Sequence, residues 1–143
     1  MMIKILLLTA SLLLNGTWAA RAQKTTDSSG GSSNGNVQYG EASYYADMFE
    51  GRKTANGEIF RQEKMTGAHN GVPLGTWIRV TNLRNGRQVV VKINDRINKR
   101  TKRLVDLSQA AASSLGYIKS GTTRVKVEVL GRKPPPEAAR KGG

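Results

Sequence analysis

The 143 residues contain no cysteine and a single histidine, His69. Lack of cysteine excludes disulfide scaffolds, cysteine-based zinc sites, thiol catalysis and lipid attachment through an N-terminal cysteine. One histidine cannot form a cluster of histidine ligands, so no metal or other cofactor is expected, and only an all-oxygen cation site stays chemically open. Aromatic residues make up 6% of the chain, too few for an extended base-stacking platform. No segment resembles a nucleic-acid-binding fold, and no nucleic-acid partner is expected. Acidic residues are also scarce: 10 Asp+Glu stand against 23 Lys+Arg, for a net charge of +13. No apolar stretch reaches the roughly 20 residues of a spanning helix, which argues against a polytopic membrane protein.

What is present falls into four segments. Residues 1–14 (MMIKILLLTASLLL) carry an early lysine and then a mostly apolar run, which Asn15-Gly16 breaks before the small-residue pattern Ala20-Arg21-Ala22. This is the pattern of an export signal covering residues 1–22, with no membrane span expected after its removal. Cutting there removes Lys4 and Arg21, taking the charge from +13 to +11. The exported protein is then expected in the periplasm, the cell envelope or the medium, as a monomer, where a cation meets anionic wall polymers. Residues 23–36 (QKTTDSSGGSSNGN) are Ser/Gly/Asn-rich and read as a flexible linker. Residues 132–143 (RKPPPEAARKGG) read as an extended, solvated, disordered tail. The folded part is expected over residues 37–131, marginal in size but sufficient for one core.

That middle segment has mainly β patterning. In Arg124–Val129, charged residues alternate with valines, giving one apolar face. Trp77–Thr81 and Val89–Ile93 are β-branched runs joined through Asn85-Gly86, the pair favoured in tight hairpin turns. Val37–Tyr45 reads as an opening strand, with Gly40 as a bulge or a close approach. One helix is expected over Ser108–Leu115, capped by Ser108 or Asp106 and stopped by Gly116. Several short strands with one or two short helices suggest a small closed barrel.

Three polar clusters interrupt the pattern: Thr54-Ala55-Asn56-Gly57-Glu58, Ala68-His69-Asn70 and Asn94-Asp95-Arg96. Asp95 ends the most apolar strand, so it sits at the rim of the core between an amide and a guanidinium. Each residue also has a plain structural reading. Glu58 fits an exposed loop, Asp95 an ion pair, His69 a satisfied histidine and Asp106 a helix cap. Tyr44 and Tyr45 face opposite sides of a strand, so at most one lines a given groove. The basic run Asn98–Arg103 fits a solvated loop or a grip on an anionic polymer.

Six ordered blocks carry a more specific signal: Gly40–Tyr45; Thr54–Glu58; Ala68-His69 with Pro73–Thr76; Val80–Asn82 with Asn85-Gly86; Asn94–Arg96; and Asp106–Ser108 with Leu115-Gly116. Together they resemble the rare lipoprotein A (RlpA) family of bacterial cell-envelope proteins. The resemblance implies a six-stranded double-psi β-barrel and lytic transglycosylase activity on peptidoglycan glycan strands, preferentially those lacking stem peptides. It further implies Glu58, His69 and Asp95 as catalytic positions. Tyr44, Asn56, Arg96 and Asp106 are the candidate substrate-binding positions, Asp106 also being a reserve catalytic candidate. The chain departs from the family pattern at Ile97-Asn98, where Gly-Pro is usual, and at Tyr44-Tyr45, where Trp-Tyr is common. The family's lipid-bearing cysteine is absent, so no lipoprotein is expected, and no C-terminal peptidoglycan-binding repeat is expected beyond the tail.

The implied reaction asks for proton delivery to a glycosidic oxygen and stabilisation of an oxocarbenium-like centre. The muramyl 6-hydroxyl attacks the anomeric carbon and leaves a 1,6-anhydro end, so no enzyme nucleophile is required. Asp95 is the expected proton donor and Glu58 the second carboxylate, with the reverse order open. His69 would orient one of them or bind substrate. The competing reading is a non-catalytic, expansin-like module that binds or loosens the wall.

Overall fold

In Thr123–Gly131 (β6), alternation sends Val125 and Val127 fully inward while Arg124 stays exposed. The same period-2 pattern buries Ile78 and Val80 of β3 (Trp77–Asn82) and Val91 and Ile93 of β4 (Gln88–Asp95). The computed structural model describes residues 36–140. The expected export signal (1–22), residues 23–35 of the expected linker and residues 141–143 lie outside the described residues.

The remaining strands are β1 (Val37–Tyr44), β2 (Thr66–Ala68) and β5 (Val105–Leu107). All six form one closed barrel in the order β1-β5-β2-β4-β3-β6. Pairing is mixed: β1–β5 and β2–β4 are parallel, whereas β1–β6, β2–β5, β3–β4 and β3–β6 are antiparallel. Closure leaves no free sheet edge. The interior is filled by aliphatic side chains, chiefly Ile78, Val80, Val91, Ile93, Val105, Leu107, Val125 and Val127.

Helix α1 (Gln109–Leu115) presents Ala111, Ala112 and Leu115 to this core and packs against β4, β1 and β5. Ser108 caps it by accepting the Ala111 N–H, and Gly116 ends it at φ 82°. Asp106 is therefore not the cap; it lies on β5, two residues earlier. Asn82 ties the layers together. Its buried amide donates to Leu115 O at 2.8 Å, and its oxygen accepts the Thr123 hydroxyl at 2.8 Å.

The structure also decides three local expectations. The β3–β4 connection is the four-residue loop Leu83–Gly86 that holds the Asn-Gly pair, closed by Asn82 N–H on Arg87 O at 2.8 Å. Asn85 uses its amide to bond Leu115 O at 2.9 Å, so a longer loop lets it cover the helix end. Gly40 makes no bulge, since β1 and β6 stay in register through it. It is a close approach: a Cβ there would lie 2.7 Å from Leu104 Cβ. The tail is not uniformly extended, because Pro136–Arg140 forms helix α2, where Arg79 donates to Glu137 at 2.6 Å.

Candidate active site

The end of β4 is irregular where the chemistry is expected. Against β2, Gly67 pairs with Ile93 and Ala68 with Asp95, so Asn94 is an extra residue. This bulge turns both Ile93 and Asn94 inward and leaves Asp95 half-buried on the outer face. Asp95 is then held from two sides. Its Oδ1 accepts the Ala55 N–H at 2.9 Å, and its Oδ2 accepts the Tyr45 hydroxyl at 2.7 Å. Burial, then the hydrogen bond and the charge of Asp95, raise the Tyr45 pKa above its ordinary value, so the phenol keeps its proton and acts as a donor.

The Ala55 N–H comes from the turn Thr54–Glu58. Thr54 N–H bonds Glu58 O at 2.8 Å, and Gly57 takes φ 91°, a conformation suited to glycine. Asn56 organises this turn. Its Oδ1 accepts the Thr54 hydroxyl at 2.6 Å and the Glu58 N–H at 3.0 Å. Its Nδ2 donates to Glu58 Oε1 at 2.5 Å, and its backbone N–H reaches Asn94 O at 3.2 Å. Asn56 was expected to bind substrate, but its side-chain oxygen is committed to the turn; it positions Glu58. Glu58 itself is exposed, with Lys92 Nζ at 3.9 Å from its Oε1. The Asp95 and Glu58 segments are thus stitched into one hydrogen-bonded assembly.

His69 lies beside this assembly, with its ring bonded to Gln38 and Gly71 rather than to either carboxylate. The ring is 2% exposed, its Nδ1 accepts the Gly71 N–H at 2.8 Å, and its Nε2 lies 2.8 Å from Gln38 Oε1. Since Nδ1 accepts, Nε2 carries the proton. Burial first, and the Arg96 charge second, lower its pKa and keep it neutral. Both ring nitrogens are occupied, so the side chain is a structural post. Its backbone N–H donates to Asp95 O at 3.1 Å.

Arg96 turns away from Asp95. It donates to His69 O and Val72 O, both at 2.6 Å, pinning the loop that carries His69. Asn70 and the Ile97 backbone complete this anchor with bonds of 3.0 and 2.9 Å. Arg96 therefore braces the wall of the site.

Tyr44, the tyrosine expected at the substrate, faces elsewhere. Its hydroxyl donates to Ile118 O at 2.9 Å and its ring lies 6.0 Å from Tyr117. Tyr45 is instead the tyrosine that reaches Asp95, and it packs on Phe60 at 4.3 Å and Phe49 at 5.6 Å. Parity with Ala42, which is fully buried, distinguishes the two, because Tyr44 shares its side of the strand. Asp106 pairs with Ala68 from the flank opposite Asp95. Its carboxylate is already matched by the Ser43 hydroxyl at 2.6 Å and by Arg103 Nε at 2.7 Å. Lys92 and Gln38 are the neighbours that sequence reasoning did not single out.

Residues 37–127 match the family model described as a lytic transglycolase. The endolytic peptidoglycan transglycosylase RlpA of Haemophilus influenzae is 42% identical over 114 residues, which is 80% of this chain and 40% of that protein. The probable endolytic peptidoglycan transglycosylase RlpA of Nostoc is 56% identical over 95 residues, 65% of this chain and 26% of that one. The chain thus spans less than half the length of these curated relatives. Among solved structures, apo expansin of Clavibacter michiganensis superposes with a TM-score of 0.56 at 21% identity, covering 70% of this chain and 53% of that one.

Proposed function

From the premise that this chain belongs to the lytic transglycolase family and has its six-stranded double-psi β-barrel, we propose that it cleaves peptidoglycan glycan strands internally, outside the cytoplasm. The products are strands ending in 1,6-anhydro-muramic acid, and strands lacking stem peptides are the preferred substrate. One observation supports the reading. The bulged end of β4 and the Thr54–Glu58 turn are bonded together, with Ala55 N–H on Asp95 and Asn56 N–H on Asn94 O, so the segments that carry the two carboxylates lie side by side.

Asp95 is the acid–base residue. Tyr45 and Ala55 fix both of its oxygens, each of which retains a lone pair for the substrate. In its protonated form Asp95 gives that proton to the leaving glycosidic oxygen and becomes the carboxylate. Glu58, held by Asn56, takes the proton of the muramyl 6-hydroxyl, or stabilises the positive ring while the newly formed Asp95 carboxylate takes that proton. The nucleophile belongs to the sugar, which supplies a large effective concentration. A well-placed acid–base group contributes about 10²–10⁴ in rate. His69 and Arg96 position the main chain on either side of Asp95 and transfer no proton.

Product mass tests this directly. Intramolecular attack adds no atoms, so the two fragments of a peptide-free strand must sum to the mass of the parent. Hydrolysis would add one water, traceable by performing the digestion in heavy-oxygen water. Unlabelled anhydro ends support the proposal. Labelled ends contradict it, and uncut strands that remain bound favour an adhesive wall-binding module.

A further inference from the structure

The outer face of β3 and β4 carries a groove of about 560 Å³. Trp77 is the cross-strand partner of Lys92, and Arg79 that of Val90, so these four side chains share one face. Met65 and Glu137 of α2 also line the groove. Lys92 links the groove to the candidate active site, lining the one while placing Nζ 3.9 Å from Glu58 Oε1 in the other.

Arg79 already holds a carboxylate. Its guanidinium donates to Glu137 Oε1 at 2.6 Å, and the pair is open to solvent, with the glutamate side chain 52% exposed. Such an exposed ion pair is weak and exchangeable. The groove therefore offers an indole, three cations (Lys64, Arg79 and Lys92) against the carboxylates of Glu63 and Glu137, and a seat on Arg79 occupied by the protein's own tail. An apolar peptide would leave the cations unmatched, and a bare anion would leave the indole unused. A sugar that bears a carboxylate uses both.

We propose that this groove is a second saccharide subsite, taking a carboxylate-bearing sugar of the strand away from the scissile bond, with Glu137 as its built-in competitor. The sugar's C–H face rests on Trp77 and its carboxylate replaces Glu137 on Arg79. The proposal rests on glycan being the substrate, but not on cleavage occurring.

Binding is measured in the Asp95→Asn background, so that the ligand is not consumed. Two ligands are compared: peptide-free peptidoglycan strands, and N-acetylglucosamine oligomers, which have no carboxylate. Trp77→Ala should weaken both by about tenfold, as expected for loss of an aromatic anchor. Arg79→Ala should weaken only the peptidoglycan strand, by about fivefold, through loss of a charge-assisted contact. Glu137→Gln should tighten the peptidoglycan strand severalfold and leave the oligomer unchanged. A purely structural role for the Arg79–Glu137 pair would not produce that gain. Arg79 and Glu137 lie at the surface, so these variants keep the test independent of any effect of Trp77→Ala on folding. Parental affinity in the Trp77→Ala and Arg79→Ala variants, or no gain in Glu137→Gln, overturns the subsite. If the wild-type protein releases no anhydro ends while these shifts persist, cleavage fails and the subsite stands.

Discussion

Tyr45 reaches Asp95 because strand parity sends it outward, while Tyr44, one position earlier, turns onto Tyr117. Tyr45→Phe would keep the ring packing on Phe60 and delete only the hydroxyl that fixes Oδ2. Steady-state kinetics on glycan strands should show kcat reduced about tenfold with KM little changed, the signature of lost orientation. His69 gives a pH-dependent prediction. Its folded-state pKa lies below the ordinary 6.5, so the unfolded chain binds a proton more readily. Its contribution to stability is full above about 6.5 and is lost as pH falls through the depressed folded value. Thermal unfolding between pH 7.5 and 5 should therefore show a decline in Tm that is shallower in His69→Gln. An unchanged slope would mean that the histidine is not held neutral.

At the scale of elements, the buried amide of Asn82 joins β3, β6 and the end of α1. Asn82→Ala leaves the Thr123 hydroxyl without that acceptor inside the protein, and should cost about 1–3 kcal/mol in denaturant unfolding. Gly57→Ala acts on the turn that carries Glu58. With φ at 91°, a side chain there adds strain of about 1–3 kcal/mol, and turnover should fall more than stability does. The elements legible from sequence were those long enough to show a period: β1, β3, β4, β6 and α1. Strands β2 and β5 span three residues each, too short for alternation to register. The Asn94 bulge was hidden as well, because a skipped partner leaves no trace in an apolar run. Asp95 and Glu58 were legible as motif positions. The supporting roles of Asn56, His69 and Arg96 were not, since spacing cannot reveal that a polar side chain is already satisfied.

For the whole molecule, closure of the barrel brings β2 and β4 together as parallel neighbours, and that pairing sets Asp95 on the rim. The net charge of +13 acts at longer range. Affinity for carboxylate-bearing glycan should fall severalfold as salt rises from about 0.05 to 0.2 M, while binding of uncharged oligomers should change little. The family's Gly-Pro site is filled by Ile97-Asn98, with Ile97 buried and bonded to Asn70, so the basic loop beyond it starts from a fixed anchor. The most direct test of the central claim separates binding from turnover in Asp95→Asn, with folding verified by circular dichroism. The account predicts glycan affinity within about twofold of wild type and turnover reduced by about 10²–10⁴. A folded Asp95→Asn protein that cleaves strands at the wild-type rate would contradict it.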